Sequence, residues 1–258
     1  MAQLSNFRIL ICNDDGFGSA GIKVLERIAR DITPDVWVVA PEVEQSGKGM
    51  GITFNRPFRI SEIAPRKYSV QGTPSDCVVM AVNHILVDKK PDLVITGINH
   101  GNNVGDTVFI SGTVGAAQIA SFHGIKAIAV SQDCHFGINP KFHLPENYLP
   151  QILKKLIKFQ WKSRGIININ FPECSLDEVK GIAVAPQGTM AITWNIIQRS
   201  DPVGQPYFWV RSDWNAKTPY VRDDVNLLNE KYITITPLDS NINNDKMLLE
   251  LEEYFALY

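Results

Sequence analysis

The sequence predicts an α/β fold: a doubly wound, mostly parallel sheet followed by a β-rich C-terminal extension. Two observations carry the core of this reading. Short apolar runs bounded by polar turn residues alternate with segments of helical periodicity over the first two thirds of the chain. The clearest runs hold no polar residue, as expected of parallel strands covered on both faces. A third observation marks the extension: from about Ile182 the texture shifts to Gly, Pro, Trp and Tyr, with few helix signals.

Taken in order, Ile9–Cys12 reads as the first strand, and Ile22, Leu25, Ile28 and Ala29 then recur on one helical face. Val36–Ala40 is the second strand. Gly49–Ile60 and Tyr68–Val70 are expected as strands of a hairpin-like excursion, and Ser75 as the cap of a helix reaching about Leu86. The strand Leu93–Ile95, a helix after Thr113, the strand Ala127–Val130, a helix near Glu146–Trp161 and the strand Ile166–Ile169 complete the alternation. Pro186–Tyr220 is expected to hold short strands and turns, Tyr232–Thr236 a strand, and Met247–Leu257 a terminal helix. The expected division is a core over 1–181 and an extension over 182–258 that does not fold independently.

Composition bounds the function. The 258 residues are 45% hydrophobic and 20% charged, ordinary values for a globular chain with one sizeable core. A net charge of −2 gives no field to hold a nucleic-acid backbone, and stable nucleic-acid binding is not expected. Lys154, Lys155, Lys158, Lys162 and Arg164 read as the solvated face of one helix. The four scattered cysteines form no CxxC pair, which speaks against zinc and disulfides and for a reducing compartment. Met1–Phe7 is too short and mixed for a secretory signal, and no apolar run reaches the ~20 residues of a membrane span. A cytoplasmic protein is expected.

Polar residues gather at the carboxyl ends of the predicted strands, where open α/β sheets bind ligands. After the first strand comes Asn13-Asp14-Asp15-Gly16, after the second a loop with Gln45-Ser46-Gly47, and after Leu93–Ile95 the run Thr96 to Asn103. Ser111-Gly112-Thr113 then precedes a helix. Each has a bland reading as a turn or a cap. Two adjacent carboxylates, however, are tolerated together if a cation lies between them, and Gly16 supplies the backbone freedom to bring them to one ion. The donors are all oxygens, which suits Mg²⁺ or Mn²⁺ and disfavours zinc. His100 reads as a rim residue. A helix start with hydroxyls and a glycine makes a phosphate seat.

These residues together resemble the stationary-phase survival protein SurE family of divalent-metal-dependent nucleotidases and acid phosphatases. The matching stretches are ILICNDDG (9–16), VVAPEVEQSGKG (38–49), VQGTPSDCV (70–78), PDLVITGINHGNNVGD (91–106), SGTVGAAQIA (111–120), AIAVS (127–131) and LNEKYITITPL (228–238). The resemblance implies a Rossmann-like core with a C-terminal β-rich oligomerisation extension that exchanges between subunits, in a homodimer or homotetramer. It implies one divalent cation per subunit on Asp14, Asp15, Ser46 and Asn99, with Asn99, Ser111, Gly112 and Thr113 about the phosphate and Asp14 and Asp15 catalytic. Two departures stand out: Ile110 replaces the family's usual tyrosine, and Ile119-Ala120 its usual Glu-Gly. Neither removes an implied metal ligand. The expected reaction is hydrolysis of nucleoside 5′- or 3′-monophosphates, with short polyphosphate as a further candidate substrate. The alternatives are a phosphatase working through an aspartyl-phosphate, and a nucleotide-binding module without turnover.

Overall fold

The structure, a computed structural model, describes residues 6–134, 141–161, 164–216 and 222–256. Eleven strands occur among them: β1 Ile9–Cys12, β2 Val36–Pro41, β3 Ile60–Ala64, β4 Lys67–Val70, β5 Leu93–His100, β6 Lys126–Gln132, β7 Ile166–Phe171, β8 Gly181–Val184, β9 Met190–Ser200, β10 Pro206–Ala216 and β11 Tyr232–Leu238. The helices are α1 Ala20–Arg30, α2 Pro74–Met80, α3 Gly112–Phe122, α4 His143–Lys158, α5 Asp224–Asn229 and α6 Asp245–Phe255.

Nine strands form one sheet in the order β3-β4-β2-β1-β5-β6-β7-β11-β8. Its centre is parallel, and β3 and β11 run antiparallel to β4 and β7. The strand period of two sorts β1 between the faces: Ile9 and Ile11 join the core under α1 and α4, Leu10 and Cys12 the core under α2 and α3. Both sides of β1 are fully buried, which is why it contains no polar residue.

The starts of α1 and α2 are capped by side chains, with one correction to the expected residue. Ser19 caps α1, accepting the Ile22 N–H at 3.5 Å. The cap of α2 is Thr73, not Ser75. Thr73 Oγ1 accepts the Asp76 N–H (3.1 Å) and Asp76 accepts the Thr73 N–H (2.8 Å), while Pro74 takes the first helical position. Ser75 is buried inside the first turn. The α2 axis continues as a π-helical turn over Ala81–Ile85.

Of the strand expected over Gly49–Ile60, only Ile60 is extended in the sheet; 49–59 is a loop. Its backbone finds partners outside the sheet: Asp76 accepts the Thr53 N–H (2.9 Å) and hydroxyl (2.6 Å), and Thr73 donates to the Gly51 carbonyl (2.6 Å). Lys162 of the basic cluster and Leu257 of the expected terminal helix lie outside the described residues. No described helix is long and apolar enough to cross a membrane.

β9 and β10 pair only with each other, in register from Met190↔Ala216 to Ser200↔Pro206. This hairpin stands apart from the main sheet; residues 217–220 of the expected strand region lie outside the described residues. Trp194 and Trp209 are exposed, whereas Trp214 is half-buried and meets Trp194 edge-on at 6.3 Å.

Candidate active site

β1 delivers two carboxylates at its end, and they diverge. Asp14 continues the side of Leu10 and Cys12 and meets the start of α3, where Thr113 donates its hydroxyl to Asp14 Oδ1. Gly112 packs on the same side chain. A Cβ there would lie 2.8 Å from Asp14 Cβ and 3.0 Å from Oδ2, so the approach admits only glycine. Asp15 turns to the end of β5, where Oδ2 accepts the His100 N–H at 3.2 Å. Gly16, at φ +93°, then turns the chain toward α1.

Asn99 lies inside β5, which runs on through a register shift between Thr96 and Asn99. Asn99 is buried, and its amide nitrogen donates to the Gly101 carbonyl at 2.8 Å. The end it leaves unengaged is Oδ1, an oxygen donor for a cation or an acceptor for water. The Ser46 loop is tied to the same place, because the Gln45 N–H donates to the Asp14 carbonyl at 2.7 Å. Ser46 itself is exposed, and its hydroxyl donates to Glu44 at 2.9 Å.

Ser111 caps α3, its Oγ accepting the Val114 N–H at 3.1 Å, which leaves the hydroxyl hydrogen free to donate. Thr96 braces this start by donating to the Thr113 carbonyl at 2.7 Å. The structure therefore brings Asp14, Gly112 and Thr113 into contact and joins Asp15 to the Asn99-His100 segment. It keeps the Ser46 hydroxyl turned aside toward Glu44.

Burial makes both carboxylates costly to ionise. Burial, then the charge of Asp15, pushes the Asp14 carboxyl up to about 6, against the pull of the Thr113 hydrogen bonds. Burial likewise pushes Asp15 up to about 6, with the His100 N–H opposing. Among the described residues neither carboxylate has a lysine or arginine within ion-pair distance. The nearest basic group is His100, its Nδ1 3.9 Å from Asp15 Oδ1. Burial holds that imidazole below its ordinary range, although Asp14 and Glu44 pull upward. It is half-buried against Phe142, with ring centroids 5.6 Å apart. No group of three or more His, Cys, Asp or Glu side chains gathers as a metal-ligand cluster among the described residues. A cation here would rest on two carboxylates and neutral oxygens, a hard donor set.

Three contacts escaped the sequence reading: the His100 N–H on Asp15, the Thr113 hydroxyl on Asp14, and the close fit of Gly112 against Asp14. The last had a trace, since a glycine at the first position of a helix gains nothing in propensity.

A protein-family model described as survival protein SurE matches residues 9–193. The chain belongs to the SurE family. Among SurE relatives, a protein named 5′-nucleotidase SurE from Paramagnetospirillum magneticum is 41% identical over 255 residues, covering 99% of this chain and 98% of its own. One of the same name from Parvibaculum lavamentivorans is 43% identical over 251 residues, covering 96% and 91%. The crystal structure of the SurE protein from Aquifex aeolicus superposes with a TM-score of 0.80 at 33% identity, covering 96% of this chain and 99% of that one. The match confirms the α/β architecture and the resemblance carried by the sequence motifs.

Proposed function

We propose that the protein is a divalent-metal-dependent phosphomonoesterase that hydrolyses nucleoside 5′- and 3′-monophosphates to nucleoside and phosphate. The observation that carries this reading is a pair of adjacent carboxylates without a lysine or arginine partner among the described residues: Asp14, buried against the start of α3, and Asp15, half-buried at the end of β5. The names of the SurE relatives point to the same class of reaction. Short polyphosphate is a further candidate substrate.

One Mg²⁺ or Mn²⁺ per subunit would be held by Asp14, Asp15, Asn99 Oδ1 and, after its hydroxyl leaves Glu44, Ser46. When bound, such an ion neutralises developing charge and makes bound water more acidic. Phosphate monoesters hydrolyse so slowly in water that catalysts supply up to ~10²¹-fold. The chain's own contribution is positional. Asp14, gripped by Thr113, is a fixed anionic ligand. Asp15 keeps some solvent access and can orient a water and take its proton. Asn99, the free Ser111 hydroxyl, and the first N–H groups of α3 at Gly112 and Thr113 would donate to the phosphoryl oxygens as these gain charge. A cytoplasmic setting is part of the proposal, on the sequence ground that the four cysteines are scattered without a CxxC pair.

A colorimetric phosphate-release assay on nucleoside monophosphates with Mn²⁺ or Mg²⁺ tests the proposal. Release above the no-enzyme rate is expected, and nucleotide binding without release would reduce the protein to a binding module.

Residues 182–258 are proposed as the oligomerisation extension. The lone two-stranded β9–β10 hairpin would be marginal in water, yet it exposes Trp194, Ile196, Phe208 and Trp209. Every residue of α6 is exposed, Leu248, Leu251 and Phe255 among them. The strand Tyr232–Thr236, expected from the sequence to share this contact, has no free edge to offer, because β11 is paired by β7 and β8. The exposed apolar residues of the hairpin and α6 support a contact there. Light scattering at micromolar protein should give at least twice the chain mass; a monomer with full activity would defeat the assignment.

A further inference from the structure

Gly105–Phe109 forms a 3₁₀ turn whose end runs through Ile110 into Ser111 and α3. Its far end supports the other side of the site as well, because the Ile110 carbonyl accepts the Gly49 N–H of the Ser46 loop at 3.0 Å. Whatever fixes Gly105 therefore fixes the approach to both.

Gly105 is held by residues far away in sequence. The fully buried Asp224, at the start of α5, accepts the Gly105 N–H at 3.2 Å to each oxygen and the Gly188 N–H at 2.7 Å. Gln187 Nε2 donates to the Gly105 carbonyl at 3.0 Å, and Asp106 accepts the Met190 N–H at 2.7 Å. Gly105 sits at φ +52°, and a Cβ there would come within 2.8 Å of Met190 Cγ and 2.9 Å of Val225 Cγ2. One carboxylate thus joins three elements: the turn leading to α3, the root of the β9–β10 hairpin, and α5. Burial pushes this carboxyl up to about 6 while the Gly188 and Gly105 N–H groups oppose, so the group is kept where it is costly to ionise.

We infer that Asp224 is a positioning residue for the phosphate site. By locking Gly105 to Gly188 it sets where Ser111, Gly112 and Thr113 stand, and it couples that position to the root of the hairpin. The inference rests on the proposed reading of Ser111–Thr113 as the phosphate site. Asp224 touches no substrate; it acts through the backbone it holds.

The deciding variant is Asp224→Asn, which keeps the shape but replaces one accepting oxygen with an NH₂ group that faces a backbone N–H. Gly188→Ala reaches the same joint from the hairpin side, because its Cβ would fall 2.8 Å from Asp223 Cγ and 2.9 Å from Val225 Cγ2. Both should lower kcat/KM for a nucleoside monophosphate about tenfold or more, since misplacing reacting groups by ~1 Å can cost ~10²-fold. Calorimetry should show weaker binding of inorganic phosphate in parallel, with Mn²⁺ binding weakened less, because β1 carries Asp14 and Asp15 and only the Ser46 loop hangs on Ile110. A residue that only stabilised the fold would lower the melting temperature and leave the phosphate affinity of the folded protein alone. Folded Asp224→Asn with kcat/KM and phosphate affinity within about twofold of the parent overturns the inference. If that variant does not fold, Gly188→Ala decides by the same two readings. A parent protein inert on every ester would sink the phosphatase reading instead, and the phosphate affinities would still test the joint.

Discussion

Asp14→Asn and Asp15→Asn are each expected to lower kcat/KM for nucleoside monophosphates by at least ~10²-fold, the scale for losing one preorganised electrostatic group. The two should do so for different reasons. Asp14 is the more deeply fixed, between the Thr113 hydroxyl and the backbone of Gly112, so the amide would sit in the same place without the charge. Asp15 has only the His100 N–H and a longer contact to the imidazole, so its amide would keep the hydrogen bond and lose the proton acceptor. Neither change should unfold the protein. The carboxylates are pushed up by burial, and Asp14 further by Asp15, so neutralising one removes a cost that the fold otherwise carries. Steady-state kinetics at saturating Mn²⁺, beside thermal melts in chelator, would separate the two effects. Near-normal turnover in both variants would leave Asp14 and Asp15 with no role beyond shaping a turn.

Much of this arrangement is legible in the sequence because parallel strands buried on both faces have no choice but to be apolar. Ile9–Cys12 and Val36–Pro41 are therefore easy to find, and so is the abrupt polarity that follows them. The loop 49–59 misleads because its Ile, Phe and Thr residues have strand propensity, while the partner that diverts its backbone, Asp76, lies 23 residues from Thr53. Ser75 and Thr73 are both good caps by residue type. The spacing from Thr73 to Asp76, with Pro74 between, decides for Thr73. α5 is six residues long and carries little periodicity to read. In the site, residue types and their places at strand ends are readable, but hydrogen-bond partners are not. Thr113 on Asp14 spans 99 residues and Asp224 on Gly105 spans 119, and no local pattern encodes such contacts.

Stripping divalent ions is expected to remove activity altogether, at least ~10³-fold, with recovery on adding Mn²⁺ or Mg²⁺. The same experiment has a readout that does not depend on turnover. Asp14 and Asp15 are each raised to about 6, above the ~3.9 of an unfolded aspartate, so between those values the folded chain binds more protons than the unfolded one. Their contribution to stability is therefore greatest below about pH 4 and is lost as pH rises through about 6. Asp224 acts in the same direction in the same window. A cation that binds the folded site should restore the loss due to Asp14 and Asp15, because it binds the ionised pair and not the dispersed chain. Melting temperatures in chelator should thus fall across this window on account of these groups, and the increment from Mn²⁺ should grow as pH rises. In Asp14→Asn that increment should shrink, since half of the charge that draws the ion is gone. Full activity after exhaustive chelation and repurification, or a Mn²⁺ increment equal in the parent and in Asp14→Asn, would remove the metal from this pair of carboxylates.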